Sequence, residues 1–302
     1  MPQIKANGLD IEYETFGRPA DPALVLIMGF ASQMTKWQMA LCEGLAARGL
    51  YVIRFDNRDV GKTTHLSQFG MPNISEAMAK AMSGQPVAAP YTLGDMAADV
   101  AGLLDALGIA DAHIVGASMG GMIAQIMAAN FPQKTRSLVS IMSTTARRDL
   151  PAAKPEAMSA LMTPPASPAR EDRIAASRRA MYALASPDFP ASEEEMTAAI
   201  EHAVDRVPYD PAGIARHLMA VISATPRNEM LGRLRVPALV IHGADDPLIP
   251  VEAGKDTAAS IPGAELVIVP GMAHDFTNAI APVYLKHIAD FVNAVDTKKK
   301  AA

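Results

Sequence analysis

The sequence predicts an α/β fold with a mostly parallel β-sheet, helices on both faces and an inserted helical cap. Short β-branched runs alternate with helical patterns through the first 143 residues, as they do in sheets whose crossovers are helices. Residues 144–231 then hold ten of the chain's 23 prolines between helical stretches and no convincing strand. Strand character returns after this segment, which therefore interrupts one sheet domain.

The alternation can be assigned element by element. The predicted strands cover residues 9–15, 23–27, 51–55, 112–115, 137–142, 237–242 and 265–269. The predicted helices cover residues 37–47, 74–82, 93–107, 118–130 and 276–294. Thr92, with an acidic residue three positions later, is typical of a helix start, and Gly108 of a helix end.

A chain of 302 residues can form one large core that carries an insertion. We predict a core formed by residues 1–143 and 232–296, and a helical cap, or lid, formed by residues 144–231. Residues 297–302, which include the basic run at 298–300, are expected to be a disordered tail.

Composition and charge exclude several classes of function. The chain is 50% hydrophobic and 20% charged, as globular proteins are. A net charge of −5 and a pI near 5.8 give no electrostatic reason to bind nucleic acid or anionic lipid.

No apolar run reaches the roughly 20 residues of a membrane span, and the first residues are too polar for a secretory signal. The single cysteine, Cys42, cannot form an internal disulfide, so a reducing cytoplasm is expected. Monomer and homodimer both remain open.

A glycine-rich turn between a predicted strand and a predicted helix carries the candidate nucleophile. Residues 116–120, Gly-Ala-Ser-Met-Gly, fit the pattern G-x-S-x-G. In a nucleophile elbow the serine stands in a strained turn, where side chains at the flanking positions would collide with neighbouring backbone. This context predicts Ser118 as a nucleophile. The simpler alternative is a turn in which Ser118 only caps the helix.

A serine hydroxyl needs a histidine to take its proton, and the histidine needs a carboxylate partner. Asp245 and Asp246 follow a late predicted strand, and His274 lies in the loop after the last one. This order of serine, acid and histidine is the order expected in such folds. His274 is preferred to the other histidines because order, a strand-end loop and a glycine-bearing turn coincide there. The residues alone leave both aspartates open, and the simpler role for Asp245 is that of a turn-stabilising side chain.

These motifs resemble those of the α/β-hydrolase family, and the likeness covers the chain outside the cap. The family's acid commonly ends a G-x-x-D segment followed by proline, which selects Asp246. Its oxyanion hole consists of two backbone N–H groups, one from the residue after the serine, Met119. The other comes from the loop after an early strand, where the family pattern selects Phe30. Met28 stands where histidine is usual in that loop, but the donor is a backbone group.

Residues 56–61 resemble the family's D-x-R-G-x-G turn, altered at Asp59, and a structural role is expected.

The resemblance is closest to bacterial carboxylesterases similar to aclacinomycin methylesterase. It implies a serine carboxylic-ester hydrolase that acts through an acyl-enzyme on small to medium, fairly apolar esters. A lactonase, a C–C bond hydrolase, a thioesterase or a cofactor-free perhydrolase or haloperoxidase could use the same triad, and a non-catalytic ligand-binding protein is a further alternative. The expected partners are a small-molecule ester and water.

No cofactor and no metal are expected, because neither a recognisable metal-ligand cluster nor a G-x-G-x-x-G after a strand occurs. Several methionines fall in segments expected near the site and suggest an apolar pocket, although core packing explains most of them equally well. They are Met28, Met34, Met39, Met119 and Met122.

Overall fold

The computed structural model describes the backbone of residues 1–301 and the side chains of residues 1–299. Its strands are β1 (Gln3–Ala6), β2 (Leu9–Phe16), β3 (Ala23–Ile27), β4 (Tyr51–Phe55), β5 (Ala112–Ala117), β6 (Thr135–Ile141), β7 (Ala238–Gly243) and β8 (Glu265–Val269). They form one eight-stranded sheet in the order β1-β2-β4-β3-β5-β6-β7-β8. The pairs from β4 to β8 are parallel, and the two pairs made by β2 are antiparallel. The predicted mostly parallel sheet is therefore confirmed.

The helices are α1 (Met39–Ala46), α2 (Ile74–Met82), α3 (Leu93–Ala106), α4 (Met119–Asn130), α5 (Pro155–Met162), α6 (Arg170–Ala183), α7 (Glu193–Arg206), α8 (Pro211–Ile222), α9 (Asn228–Leu231), α10 (Val251–Ser260) and α11 (Ala281–Ala301). Thr92 and Asp95 form a reciprocal capping box at the start of α3. In the described residues, none of these helices combines the length and the apolar character needed to cross a bilayer.

The central strands are buried on both faces, which divides the core into two layers. Along β3, Val25 and Ile27 join the cluster formed with α3 and α4. Leu24 and Leu26 point the other way and join the cluster formed with α1 and α11. Because side chains alternate along a strand, a strand covered on both faces is apolar throughout, as β3 is.

The sequence analysis assigns no strand before Leu9, and the structure places β1 there as half of a hairpin. Asn7 and Gly8 form its turn, with φ angles of 48° and 78°. Asn-Gly is the dipeptide that adopts such left-handed turns most readily. The Asn-Gly pair signals this turn in the sequence, although β1 itself is short and partly exposed.

The last helix begins and ends later than the sequence analysis expects. It starts at Ala281 because Pro282, which has no N–H to donate, is tolerated only in the first turn. The expected disordered tail at 297–302 is not found in the described residues, since α11 continues to Ala301 and Lys299 bonds Asp111 at 2.8 Å. Residue 302 lies outside the described residues.

Five helices, α5 to α9, occupy the connection between β6 and β7. We call residues 144–231 the helical insertion. No strand is found in it, as the proline-rich sequence indicates.

Buried ion pairs fasten the helical insertion to the core. Arg206 of α7 lies 2.7 Å from both Glu12 and Asp56. Arg216 of α8 donates to Asp59 at 2.7 and 2.8 Å. Removing one partner of such a pair leaves an unpaired buried charge, so these contacts hold the insertion in one position over the sheet.

Candidate active site

Ser118 stands at the sharp turn between β5 and α4. Its φ of 55° and ψ of −121° are strained for a residue with a side chain. A Cβ atom on Gly116 would lie 2.0 Å from the carbonyl oxygen of Gly120, and one on Gly120 would lie 2.1 Å from that of Ile27. The two glycines are thus required for β5, α4 and the neighbouring β3 to approach so closely.

The turn brings Ser118 into a line of hydrogen bonds with a histidine and a carboxylate from distant loops. The Nε2 atom of His274 lies 3.0 Å from Ser118 Oγ, and its Nδ1 atom lies 2.7 Å from Asp246 Oδ2. His274 and Asp246 are buried, whereas Ser118 is half-buried. This geometry allows Ser118 to lose its proton to the imidazole while the carboxylate faces the opposite ring nitrogen.

The structure separates the two adjacent aspartates. Asp246 reaches His274, and its other carboxylate oxygen accepts from the N–H groups of Leu248 and Ile249 at 2.9 and 2.8 Å. Burial by itself raises the pKa of Asp246, but the charge and hydrogen bond of His274 outweigh it and hold that pKa below its ordinary value. Asp245 instead accepts from the N–H of Gly271 at 2.9 Å, so it braces the loop that carries the histidine.

Four other buried or half-buried histidines form hydrogen bonds away from Ser118. His113 bonds Ser137, His217 bonds Arg58 and Ala31, His242 bonds Ile249, and His65 bonds Asp210. In the described part of the chain, His274 is the histidine within hydrogen-bond distance of Ser118. His242 nevertheless lies close behind the site, with its Nε2 atom 3.6 Å from Asp246.

The loop after β3 approaches the serine closely enough to supply a second N–H group. A Cβ atom on Gly29 would lie 3.1 Å from Ser118 Cβ. Within residues 1–301, the N–H groups of Phe30 and Met119 donate to no protein acceptor, so both are free for a ligand. Phe30 lines the same cavity as Ser118, and Met119 is the next residue in the chain.

Two side chains fix the shape of this loop. The amide of Asn57, from the turn after β4, donates to the carbonyl oxygen of Met28 at 2.9 Å. His217 of the helical insertion accepts from the N–H of Ala31 at 3.3 Å through Nδ1 and donates from Nε2 to the carbonyl of Arg58 at 2.6 Å. Burial lowers the pKa of His217 to about 4, so this ring is neutral with its proton on Nε2.

A cavity of about 70 Å³ opens onto Ser118. Sites for drug-sized ligands are roughly 300–1,000 Å³, so this cavity suits a small group. Its lining is largely apolar and includes two titratable side chains. The lining residues are Met28, Gly29, Phe30, Ser32, Lys36, Ala117, Ser118, Met142, Leu161, Leu184, Leu248, His274 and Phe276.

The methionine hypothesis holds for one of its five residues. Met28 lines the cavity, and Met142, which was not singled out, lines it as well. Met34, Met119 and Met122 are core residues with almost no exposed surface, and Met39 is 45% exposed on the outside. Leucines from the helical insertion supply apolar surface that the sequence could not assign.

A larger cavity of about 380 Å³ lies between the helical insertion and the loop after β7. It is lined by Ala183 and Ala185, which flank Leu184 in the chain, and by Pro247, which precedes Leu248. Neither Ser118 nor His274 belongs to its lining. The smaller cavity is therefore the one where bond cleavage could occur.

The helical insertion forms hydrogen bonds with the loop that carries His274. The carbonyl oxygen of Leu184 accepts from the N–H of His274 at 3.1 Å. Ser186 donates from its N–H to Asp275 at 2.9 Å and from its hydroxyl to the same carboxylate, and it accepts from the N–H of Ala273 at 2.8 Å. The position of His274 thus depends on contacts from both the core and the insertion.

One cluster of side chains has the spacing of a metal site but not its charge. Ligand atoms of Asp59, His65 and Asp210 lie within 4.8 Å of one another. Arg216 donates to both oxygens of Asp59, and its guanidinium lies 3.6 Å from Asp210. The guanidinium therefore supplies the positive charge that an ion would bring, and the donor set does not fit a further cation.

Sequence reasoning missed several residues that position or line the site. Three of them come from segments without a motif, and nothing in the local sequence indicates that they lie near the site. They are Lys36, Ser186 and His217. Asn57 lies in the turn formed by residues 56–61, for which a structural role is expected. Its hydrogen bond to the Met28 carbonyl shows that this turn fixes the loop after β3.

The fold and the site define this protein as a hydrolase of the α/β type. The chain belongs to the α/β-hydrolase family, since the family described as the alpha/beta hydrolase fold matches residues 22–276. Rhodomycin D methylesterase DnrP of Streptomyces peucetius is 25% identical over 88% of this chain and 89% of its own length. The enzyme 3-oxoadipate enol-lactonase 2 of Acinetobacter baylyi is 26% identical over 96% of this chain and 95% of its own length. Among solved structures, the esterase RhEst1 of Rhodococcus sp. ECU1013 has a TM-score of 0.71 at 22% identity and covers 98% of each chain, which shows a shared fold.

Proposed function

We propose that this protein is a serine carboxylic-ester hydrolase that acts through an acyl-enzyme on small esters. The observation that carries the proposal is the line of hydrogen bonds from Ser118 through His274 to Asp246, at 3.0 and 2.7 Å, beside a cavity. A serine that only capped α4 would accept from the helix backbone, and Ser118 makes no such side-chain bond.

In the first half of the reaction, Ser118 Oγ attacks the ester carbonyl while His274 Nε2 takes its proton. Asp246 stabilises the imidazolium that forms by accepting from Nδ1–H. The negative charge on the carbonyl oxygen is bound by the free N–H groups of Phe30 and Met119. His274 then returns the proton to the leaving alkoxide, and the acyl group stays on Ser118.

In the second half, a water molecule takes the place of the alcohol. His274 removes a proton from the water as it attacks the acyl carbonyl, and the same two N–H groups bind the oxyanion. Collapse of this intermediate returns the proton to Ser118 and releases the acid.

The helical insertion acts as a cap over this chemistry. It supplies Leu161 and Leu184 to the cavity and holds the loop of His274 through Ser186. An apolar covering of this kind excludes water and strengthens the electrostatic interactions inside the site. The small cavity favours short acyl groups over long chains.

A p-nitrophenyl ester series of rising acyl length tests the proposal. The wild type should show an optimum at short chains, and Ser118→Ala and His274→Ala should each lose at least about 10³-fold in kcat. A fluorophosphonate probe supplies a second readout, because only an activated serine reacts quickly and Ser118→Ala should abolish labelling. A folded wild type that is inactive on every ester would contradict the proposal.

A lactonase is the second function to test, because the likeness to the enol-lactonase of Acinetobacter baylyi spans nearly the whole chain. A lactone is a cyclic ester, so the same residues would open it without rearrangement. Higher kcat/KM on small lactones than on acyclic esters of equal carbon number would favour this second function.

A further inference from the structure

Lys36 is an exposed cationic side chain that lines an otherwise largely apolar cavity. It ends a short 3-10 helix, Met34–Lys36, just after the loop that carries Phe30. It lines the same cavity as Ser118, opposite leucines and an aromatic ring, and the other titratable lining residue is His274. A lysine at this position is not needed for any step of ester hydrolysis described above.

The ammonium group has no partner of its own in the described part of the chain. The Lys36 side chain is exposed, and the protein packed around its ammonium lowers the pKa of that group. Part of its surface lines the cavity that Ser118 also lines. The nearest opposing charge is that of Asp275, which acts on Lys36 through space without a hydrogen bond.

Asp275 is already engaged by the helical insertion. Its carboxylate accepts the N–H of Ser186 at 2.9 Å and the Ser186 hydroxyl. Asp275 therefore leaves the Lys36 ammonium without a hydrogen-bonded counter-charge. An anionic ligand group in the cavity can form a charge-assisted hydrogen bond with this ammonium.

We propose that Lys36 binds a negatively charged group of the substrate, so that the natural substrates are short esters or lactones that also carry a carboxylate. This inference rests on the proposed ester hydrolysis, which it makes more specific. The apolar wall of the cavity holds the carbon chain, and Lys36 fixes one end while Ser118 attacks the other. The small volume limits the chain between the two groups to a few carbons.

The test compares charged and neutral members of the same ester series. Monomethyl succinate, glutarate and adipate carry a carboxylate on the acyl side, and their dimethyl esters do not. O-acetylglycolate and its methyl ester place the carboxylate on the alcohol side. The measured quantity is the ratio of kcat/KM for the charged ester to kcat/KM for the neutral one, so that a general loss of activity cancels.

In the wild type we expect a ratio of about tenfold to hundredfold in at least one series, the range that a charge-assisted hydrogen bond supplies. Lys36→Met should reduce this ratio to about one or below, Lys36→Arg should retain most of it, and Lys36→Glu should invert it. Lys255→Met is the matched control, because Lys255 is an exposed lysine on α10 far along the chain, and it should leave the ratio as in the wild type.

A direct binding experiment separates this inference from the proposed function. Trp37, the only tryptophan, follows Lys36 and stacks edge-on against Phe276 of the cavity wall at 4.8 Å. Glutarate should change its fluorescence in a saturable way in the wild type and in Ser118→Ala, and not in Lys36→Met.

The outcomes are distinct. Equal rates on charged and neutral esters in every series, or a charge preference that survives Lys36→Met, would overturn the inference while leaving ester hydrolysis standing. Saturable glutarate binding that depends on Lys36, in a protein that hydrolyses no ester, would support the anion site and reject the proposed function.

Discussion

Substituting Gly29 by alanine tests whether the loop after β3 and the serine must approach as closely as the structure shows. An added Cβ would lie 3.1 Å from Ser118 Cβ, 3.2 Å from the carbonyl oxygen of Ala117 and 3.6 Å from Ser118 Oγ. Contacts of this kind require a shift of a few tenths of an ångström on one side or the other. The nearest neighbours are the nucleophile and the backbone that holds it, so the shift falls on the reacting atoms or on the Phe30 N–H.

The expected cost is catalytic and only slightly structural. A misplacement of about 1 Å costs on the order of 10²-fold in rate, so a smaller shift should lower kcat by about tenfold to hundredfold. Overpacking by a single methyl costs about 1–3 kcal/mol in a rigid core, and less where a loop can yield, so we expect about 1 kcal/mol of lost stability. The loss of kcat should therefore be larger than the loss of stability explains.

The assay is steady-state hydrolysis of a short p-nitrophenyl ester together with urea unfolding. Gly232→Ala is the matched control, because its added Cβ would meet its nearest neighbours at 3.5 Å or more, and it should change neither measurement appreciably. A Gly29→Ala protein with wild-type kcat and wild-type stability would refute the argument that this loop packs against the nucleophile.

Three further predictions concern the groups around the histidine. Asp246→Asn should lower kcat by roughly 10³–10⁴-fold in the ester assay, whereas Asp245→Asn, which can still accept from Gly271, should stay within about tenfold of the wild type; the reverse order would reassign the acid. Ser186→Ala should lower the free energy of unfolding in urea by about 1–3 kcal/mol, because Asp275 and the Ala273 N–H lose a partner, and it should also slow fluorophosphonate labelling. Unchanged values in both measurements would contradict the view that the helical insertion positions the site. Burial lowers the pKa of His217 to about 4 from 6.5, so the unfolded chain binds more protons between these values and stability should fall with pH from 6.5 to 4. The part of this loss that His217 contributes is at most about 3 kcal/mol. The free energy of unfolding of His217→Gln, measured against pH, should lack that part. A variant whose stability falls as steeply as that of the wild type would contradict a neutral buried ring.

The turn after β4 links the parts of the molecule that these predictions address. Its Asp56 accepts the N–H of Met34, at the start of the 3-10 helix that carries Lys36, and also pairs with Arg206 of the insertion. Its Asn57 holds the carbonyl of Met28. This turn thus contacts the loop after β3, the 3-10 helix that carries Lys36 and the helical insertion.

Much of the core was readable from local pattern alone. The strands of the parallel sheet show as apolar runs because each is covered on both faces, and Gly116 and Gly120 mark the elbow because backbone approaches within van der Waals contact there. Ser118, the two aspartates and His274 were expected near one another because each follows a strand, and the carboxyl ends of parallel strands lie on one edge of a sheet. The short strand β1 and the start of α11 at Ala281 were missed or misplaced although Asn7-Gly8 and Pro282 signalled both.

What the sequence by itself determined was the parallel part of the sheet, the interrupting helical segment, and Ser118 and His274 as candidates beside a pair of adjacent aspartates, because these depend on short-range periodicity and on turn sterics. The choice between Asp245 and Asp246 depended on which carboxylate points to a loop 28 residues away, and only tertiary structure decided it. The same holds for Lys36, Ser186 and His217, whose roles arise from packing between segments separated by up to 186 residues. No local pattern encodes such contacts, since the chemistry of a cavity belongs to surfaces that meet only after the chain has folded.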